Sequence, residues 1–198
     1  MKVAILDYGA GNLHSLAKAV GAAGVEVRIE SDPAAAIRSD ALVLPGVGAF
    51  ASATRSLSPH REAIASALDQ GLPCLGICLG MQLLFDHSEE GPGEGLGVIP
   101  GRVRKLDALR IPQIGWNAIE DRNDRLFDAA QLETAYFANS YVCEPDNTDA
   151  AIAWTTHEND RFVAAVRLGN VVGVQFHPEK SSGAGCSFIW AFLDEVRS

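Results

Sequence analysis

The chain predicts an α/β fold: a mostly parallel central sheet with helices on both faces, joined to an additional region of antiparallel strands. Three observations predict it. Through the first half, short apolar runs alternate with stretches of helical periodicity, the pattern of βα units that build a parallel sheet. After Ser88 the texture changes to a loop rich in Gly and Glu, then to alternating runs separated by turn residues, which is the pattern of antiparallel strands. The longest apolar stretches are strand-length and broken by Gly, Pro or charge, so the 198 residues predict one domain, 1–198, around a single core, with no membrane span.

Residues 3–6 open the sheet. Asp7 and a turn stop the run after four apolar residues, which distinguishes a first strand from a signal peptide. A helix over 13–23, strands over 25–29 and 41–44, and helices over 49–57 and 62–68 continue the alternation. Residues 73–77 form the next strand and feed a helix from Leu79 to about residue 85. Cys78 then sits at the carboxyl end of a sheet strand, where open α/β folds keep their ligands. Beyond the loop, strands are expected over 97–106, 113–119, 134–142, 151–155, 162–167 and 171–176. A closing helix over 185–196 carries Phe188, Ile189, Phe192 and Leu193 at helical spacing.

Composition excludes several function classes. Lys and Arg number 16 against 25 Asp and Glu, a net charge of −9, which leaves no basic patch of the kind that follows a phosphate backbone. Nucleic acid is therefore not expected as a partner, and Arg102-Val103-Arg104-Lys105 reads as a solvated strand face. Four cysteines without a paired short spacing give neither a zinc site nor a disulfide framework, which fits a reducing cytoplasm. Gly9-Ala10-Gly11 follows a strand, with Glu30 about twenty residues on, as in a dinucleotide site. The third position of that fingerprint is His14, which would obstruct the close packing its glycine permits, so no nucleotide cofactor is expected.

The chemistry concentrates at Cys78. Gly76 and Gly80 flank it in the pattern Gly-x-Cys-x-Gly, the thiol version of a strand-to-helix nucleophile elbow. A thiol there lies near a helix N-terminus, whose N–H groups and dipole favour a thiolate. His177-Pro178-Glu179, about a hundred residues on, supplies a base and the carboxylate that orients it. Cys74, Cys143 and Cys186 lack such an elbow and read as small hydrophobes. His14 and His87 fall in amphipathic helical patterns, His60 at a helix start and His157 in a hairpin turn.

These residues resemble the class I (triad) glutamine amidotransferases, marked by the glycine-flanked cysteine and a late His-Pro-Glu. Within that family, Asp7-Tyr8-Gly9-Ala10-Gly11-Asn12, residues 44–50, 76–85 and 173–181, and Gly115-Trp116-Asn117 are similar to the glutaminase subunits of imidazole glycerol phosphate synthase, over essentially the whole chain. The resemblance implies a flavodoxin-like fold. It implies hydrolysis of glutamine to glutamate by Cys78, His177 and Glu179, with no metal or cofactor, and delivery of the ammonia to a (β/α)8 cyclase. The length leaves no room for a fused barrel, so that partner is expected as a separate chain.

A tetrahedral intermediate needs backbone N–H donors, expected from Leu79 and from Gly46-Val47-Gly48. In the family that glycine-rich strand can turn its amide away until the partner's substrate binds. Gln82, one helical turn from Cys78, is placed within reach of a bound amino acid. By match to the family, Glu90 meets its α-ammonium, and Ser140 and Tyr141 its α-carboxylate. The partner face is expected to carry Asn12, Trp116, Asn117, Tyr136 and Lys180. Position 139 departs from the family pattern, with Asn where His is usual. The rival readings are an amidotransferase of anthranilate or pyridoxal phosphate synthesis, an inactive binding subunit, and a cysteine hydrolase without a partner.

Overall fold

The computed structural model describes residues 1–9 and 13–198. In chain order these form β1 (Lys2–Leu6), α1 (His14–Gly21), β2 (Glu26–Glu30), α2 (Pro33–Ala36), β3 (Ala41–Leu44), α3 (Phe50–Leu57), α4 (Arg61–Asp69), β4 (Cys74–Ile77) and α5 (Leu79–Gln82). The second half runs β5 (His87–Ser88), β6 (Gly101–Lys105), β7 (Gln113–Ala118), α6 (Arg125–Ala130), β8 (Thr134–Asn139), β9 (Tyr141–Pro145), β10 (Ala151–His157), β11 (Asp160–Leu168), β12 (Val171–Val174) and α7 (Ser182–Arg197).

Seven strands make the central sheet in the order β10-β11-β12-β4-β3-β1-β2. The five from β12 to β2 are parallel, and β10 and β11 extend the sheet antiparallel from β12. Strands β1, β3, β4 and β12 are buried almost throughout, as strands covered on both faces must be. Helices surround the sheet. Helix α7 packs on α1 and α6, and the indole N–H of Trp190 donates to the Ala19 carbonyl of α1 at 2.9 Å. Two smaller sheets, β5-β6-β9 and β7-β8, complete the molecule.

The departures from expectation have physical causes. Strands β10 to β12 join the central sheet because β12 pairs in parallel with β4, about a hundred residues earlier, a non-local pairing that no local pattern encodes. The single run expected over 134–142 is two strands broken at Ser140. Strand β8 pairs with β7 and β9 with β6, and the Ser140 carbonyl at the break accepts the Leu106 N–H. Helix α5 stops at Gln82 because the carbonyls of Leu83, Leu84 and Phe85 are taken by the N–H groups of Leu96, Ile99 and Gly97. His87 lies on β5, opposite Arg102, and not on a helix.

Helices α2 and α6 were not expected, although each carries a start signal. Asp32 caps the Ala34 N–H just before Pro33, and Asp124 caps that of Leu126.

Candidate active site

Strand β4 delivers Cys78 into a backbone conformation of φ 50°, ψ −105°, which an L-residue adopts only when its surroundings enforce it. The flanking glycines explain how. A Cβ on Gly80 would meet the Leu44 carbonyl oxygen at 2.0 Å, and one on Gly76 would meet the Gly80 oxygen at 2.7 Å, so strand, turn and helix close on one another only without side chains. The Cys78 N–H donates to the Val174 carbonyl of β12 at 2.7 Å, and its own carbonyl accepts the Gln82 N–H.

His177 reaches the same point from the end of β12. Its N–H donates to the Tyr136 carbonyl at 2.8 Å, and the buried Ser181 hydroxyl donates to the His177 carbonyl while accepting the Tyr136 N–H. Phe176 beside it packs against Phe137 and Phe188 at 5.8 and 5.7 Å between ring centres. The His177 main chain is thus held by both β8 and the start of α7. The imidazole lies beside the Cys78 sulfur and is hydrogen-bonded through Nδ1 to Glu179 Oε1 at 2.9 Å. Burial works against a charged ring, but the Cys78 sulfur and the Glu179 carboxylate outweigh it and push His177 up to about 9. Thiol, imidazole and carboxylate thus stand in series, the arrangement in which an imidazolium stabilises a thiolate.

The sulfur opens on a pocket of about 280 Å³ lined by Gly46, Val47, Gly48, Leu79, Gln82, Glu90, Ser140, Tyr141, His177 and Lys180 among others. Every residue expected to bind substrate or supply an oxyanion donor therefore lies on its wall. Leu79 is the first residue of α5, and Gly48 has φ +127°. Glu90 is engaged as well: its Oε2 accepts the Phe50 N–H at the start of α3 at 3.0 Å. A wider depression of about 560 Å³ lies at the opposite end of β4, beside Pro73. Arg167 there pairs with both Asp124 and Glu195, and the depression is remote from the thiol.

Two neighbours of the thiol had not been singled out. Gln175, fully buried, points its Nε2 at Cys78 Sγ from 3.4 Å. The Tyr8 hydroxyl donates to the Pro45 carbonyl, next to Gly46, and burial followed by the nearby Cys78 pushes that phenol well up. Both lie inside motifs quoted for the family. For Gln175 the available signal was a polar residue just past the carboxyl end of the fully apolar β12.

The expected partner face divides. Trp116 and Tyr136 sit opposite each other on β7 and β8 with rings edge to face at 6.5 Å, and Lys180 Nζ lies 5.9 Å from the Tyr136 ring. Trp116 is 56% exposed and Ile114, two residues before it, 67%. Asn117 turns the other way, donating to the Thr156 carbonyl at 2.7 Å. Asn12 lies outside the described residues. Asn139 is buried, its Nδ2 donating to the Tyr141 carbonyl at 3.2 Å.

Arg104, expected on a solvated face, instead forms a two-pronged pair with the buried Asp160 at 2.7 and 2.8 Å. Cys74 and Cys143 are buried, and burial pushes both thiols up. Among the described residues no His, Cys, Asp and Glu cluster is placed to hold a metal, and no helix is long and apolar enough to cross a membrane.

The chain's likenesses agree with this geometry. A subunit HisH of imidazole glycerol phosphate synthase from a Cyanothece species is 40% identical over 99% of this chain and 97% of its own. The chloroplastic imidazole glycerol phosphate synthase hisHF of Arabidopsis thaliana is 43% identical over 96% of this chain, which matches 34% of that longer protein. A crystal structure of a glutamine amidotransferase superposes with a TM-score of 0.76 at 19% identity, covering 99% of both chains. The family model for class-I glutamine amidotransferases matches residues 4–194, and the chain belongs to that family as a glutamine amidotransferase.

Proposed function

We propose that the whole chain, residues 1–198, is a cytoplasmic glutaminase that hydrolyses glutamine through Cys78, His177 and Glu179 and passes the ammonia to a (β/α)8 cyclase subunit, where imidazole glycerol phosphate and aminoimidazole carboxamide ribotide are formed in histidine biosynthesis. The observation that carries it is Cys78 in its forced elbow, with the His177 ring beside it and Glu179 hydrogen-bonded behind. The relatives' names support the pathway and the partner.

In this reading the Cys78 thiolate attacks the side-chain amide carbonyl of glutamine, and the N–H groups of Leu79 and of the Gly46–Gly48 loop hold the developing oxyanion. The His177 imidazolium gives its proton to the departing ammonia as the tetrahedral adduct collapses to a thioester. The now neutral His177 takes a proton from water, the hydroxide cleaves the thioester, and glutamate leaves with the thiolate regenerated. Glu179 keeps Nδ1 protonated and the ring aligned. Glu90 offers negative charge to the α-ammonium, Ser140 and Tyr141 line the α-carboxylate, and Gln82 completes the wall. Trp116, Tyr136 and Lys180, with Asn12, meet the cyclase, while Asn117 braces the ribbon from its other face; an exposed Trp beside a half-buried Tyr makes an apt anchor.

The test is glutamate release by the chain alone, with the purified cyclase, and with cyclase plus its ribonucleotide ligand, against Cys78→Ser as blank. The expected result is weak release alone that rises with cyclase and ligand. Equal release in all three conditions points to an independent hydrolase, and none in any of them sinks the proposal.

A further inference from the structure

Behind the thiol runs a short relay of buried amides that the triad does not use. The Tyr141 carbonyl can only accept, so the amide of Gln82 must turn its nitrogen toward it, at 3.2 Å. The same Gln82 Nε2 reaches Gln175 Oε1 at 3.4 Å. With its oxygen so committed, Gln175 presents its nitrogen to Cys78 Sγ at 3.4 Å. Each orientation follows from the previous one, starting from a main-chain group that cannot be reversed. Gln175 is fully buried and Gln82 is 5% exposed, so neither amide can exchange its partner for bulk water. The sulfur is therefore met by an N–H donor from Gln175, by the His177 ring and, at 4.0 Å, by the Ala138 carbonyl.

From this geometry we propose that Gln175 is a positioning residue that donates a hydrogen bond to the Cys78 thiolate and fixes its direction of attack, and that Gln82 acts on the sulfur through Gln175. The proposal rests on the glutaminase reading for its catalytic consequence only. An N–H donor favours the charged sulfur over the neutral thiol, because only the anion is a strong acceptor. Its second effect is geometric, since a thiol held by the ring alone can swing about the Cα–Cβ bond of a residue already in a forced backbone conformation. Gln82 then has a defined task that does not require contact with substrate.

The test compares the wild type with Gln175→Met, which keeps volume and removes the donor, with Gln82→Met, and with the double variant. The first readout is the pH profile of Cys78 alkylation by iodoacetamide, followed on the Cys78 peptide by mass spectrometry and independent of glutamine. Gln175→Met should move the midpoint upward by about half to one pH unit. Gln82→Met should move it less in the same direction, and the double variant no further than Gln175→Met. The second readout, glutamine hydrolysis by Gln175→Met with cyclase and ligand at neutral pH, should show kcat reduced by about threefold to tenfold at unchanged KM, following the smaller thiolate fraction.

Should Gln175→Met fail to fold, Gln82→Met alone carries the test. An alkylation profile unchanged in the folded variants overturns the proposal. A shifted profile in a chain that releases no glutamate under any condition supports the Gln175 assignment and sinks the glutaminase reading, so the two failures are distinct.

Discussion

Cys78 is bounded on three sides by groups of its own chain, Gln175, His177 and the Ala138 carbonyl, while Trp116 and Ile114 on the neighbouring β7–β8 ribbon stand more than half exposed. The two regions share strand β8. Its main chain touches both the thiol, through Ala138, and His177, through the Tyr136 carbonyl, whereas the Tyr136 ring faces Trp116 and Lys180 on the outside. The groups around the thiol all come from this chain, and the exposed Trp116 and Ile114 side chains lie one strand away. A partner seated on the ribbon would press on the backbone that holds the base.

Four outcomes test that contrast, from the largest effect to the smallest. Cys78→Ser should lower glutamate release by about ten-thousandfold or more, since a hydroxyl is a far weaker nucleophile at neutral pH; a residual rate within tenfold of wild type would move the chemistry elsewhere. Val47→Pro removes one main-chain donor from the loop beside the thiol and should cost roughly a hundredfold in kcat. Unchanged turnover would remove Val47 from the oxyanion site. Trp116→Ala should weaken cyclase binding roughly thirtyfold, the loss expected of a central aromatic anchor, while leaving Cys78 alkylation as in the wild type. Calorimetric titration of the cyclase measures it, and equal affinity would place the interface elsewhere.

The smallest effect concerns pH. His177 titrates higher in the fold, at about 9, than its ordinary 6.5, so its contribution to stability is complete below about 6.5 and is lost as pH rises through about 9. The melting temperature should fall across that window in the wild type and change less in Cys78→Ser, where the sulfur that helps raise His177 is gone. Proton NMR of the imidazole in Cys78→Ser should show a midpoint well below 9, and one still near 9 would assign the shift to Glu179 alone.

How much of this could be read from the sequence follows from how local each feature is. The elbow was legible because three residues, Gly76, Cys78 and Gly80, encode a close approach that leaves no room for a Cβ. His177 and Glu179 were legible because two residues of spacing place Glu179 against Nδ1. Strand β12 beside β4 was not legible as a neighbour, since its apolar run gives the same pattern in either direction of pairing. The break at Ser140 was hidden as well: β8 and β9 follow one another with a single residue between them while pairing with different strands. Gln175 lay two residues from His177, but a Gln in a strand reads as surface until its burial is seen. The ion pair of Arg104 with Asp160 spans 56 residues, beyond any charge pattern along the chain.

If Cys78 is the nucleophile, acid-quenching the enzyme during glutamine turnover should trap a γ-glutamyl thioester on the Cys78 peptide, read by mass spectrometry. The adduct should accumulate with cyclase and ligand present and be absent from Cys78→Ser. Full turnover with no adduct on Cys78, or an adduct on another residue, would contradict that role.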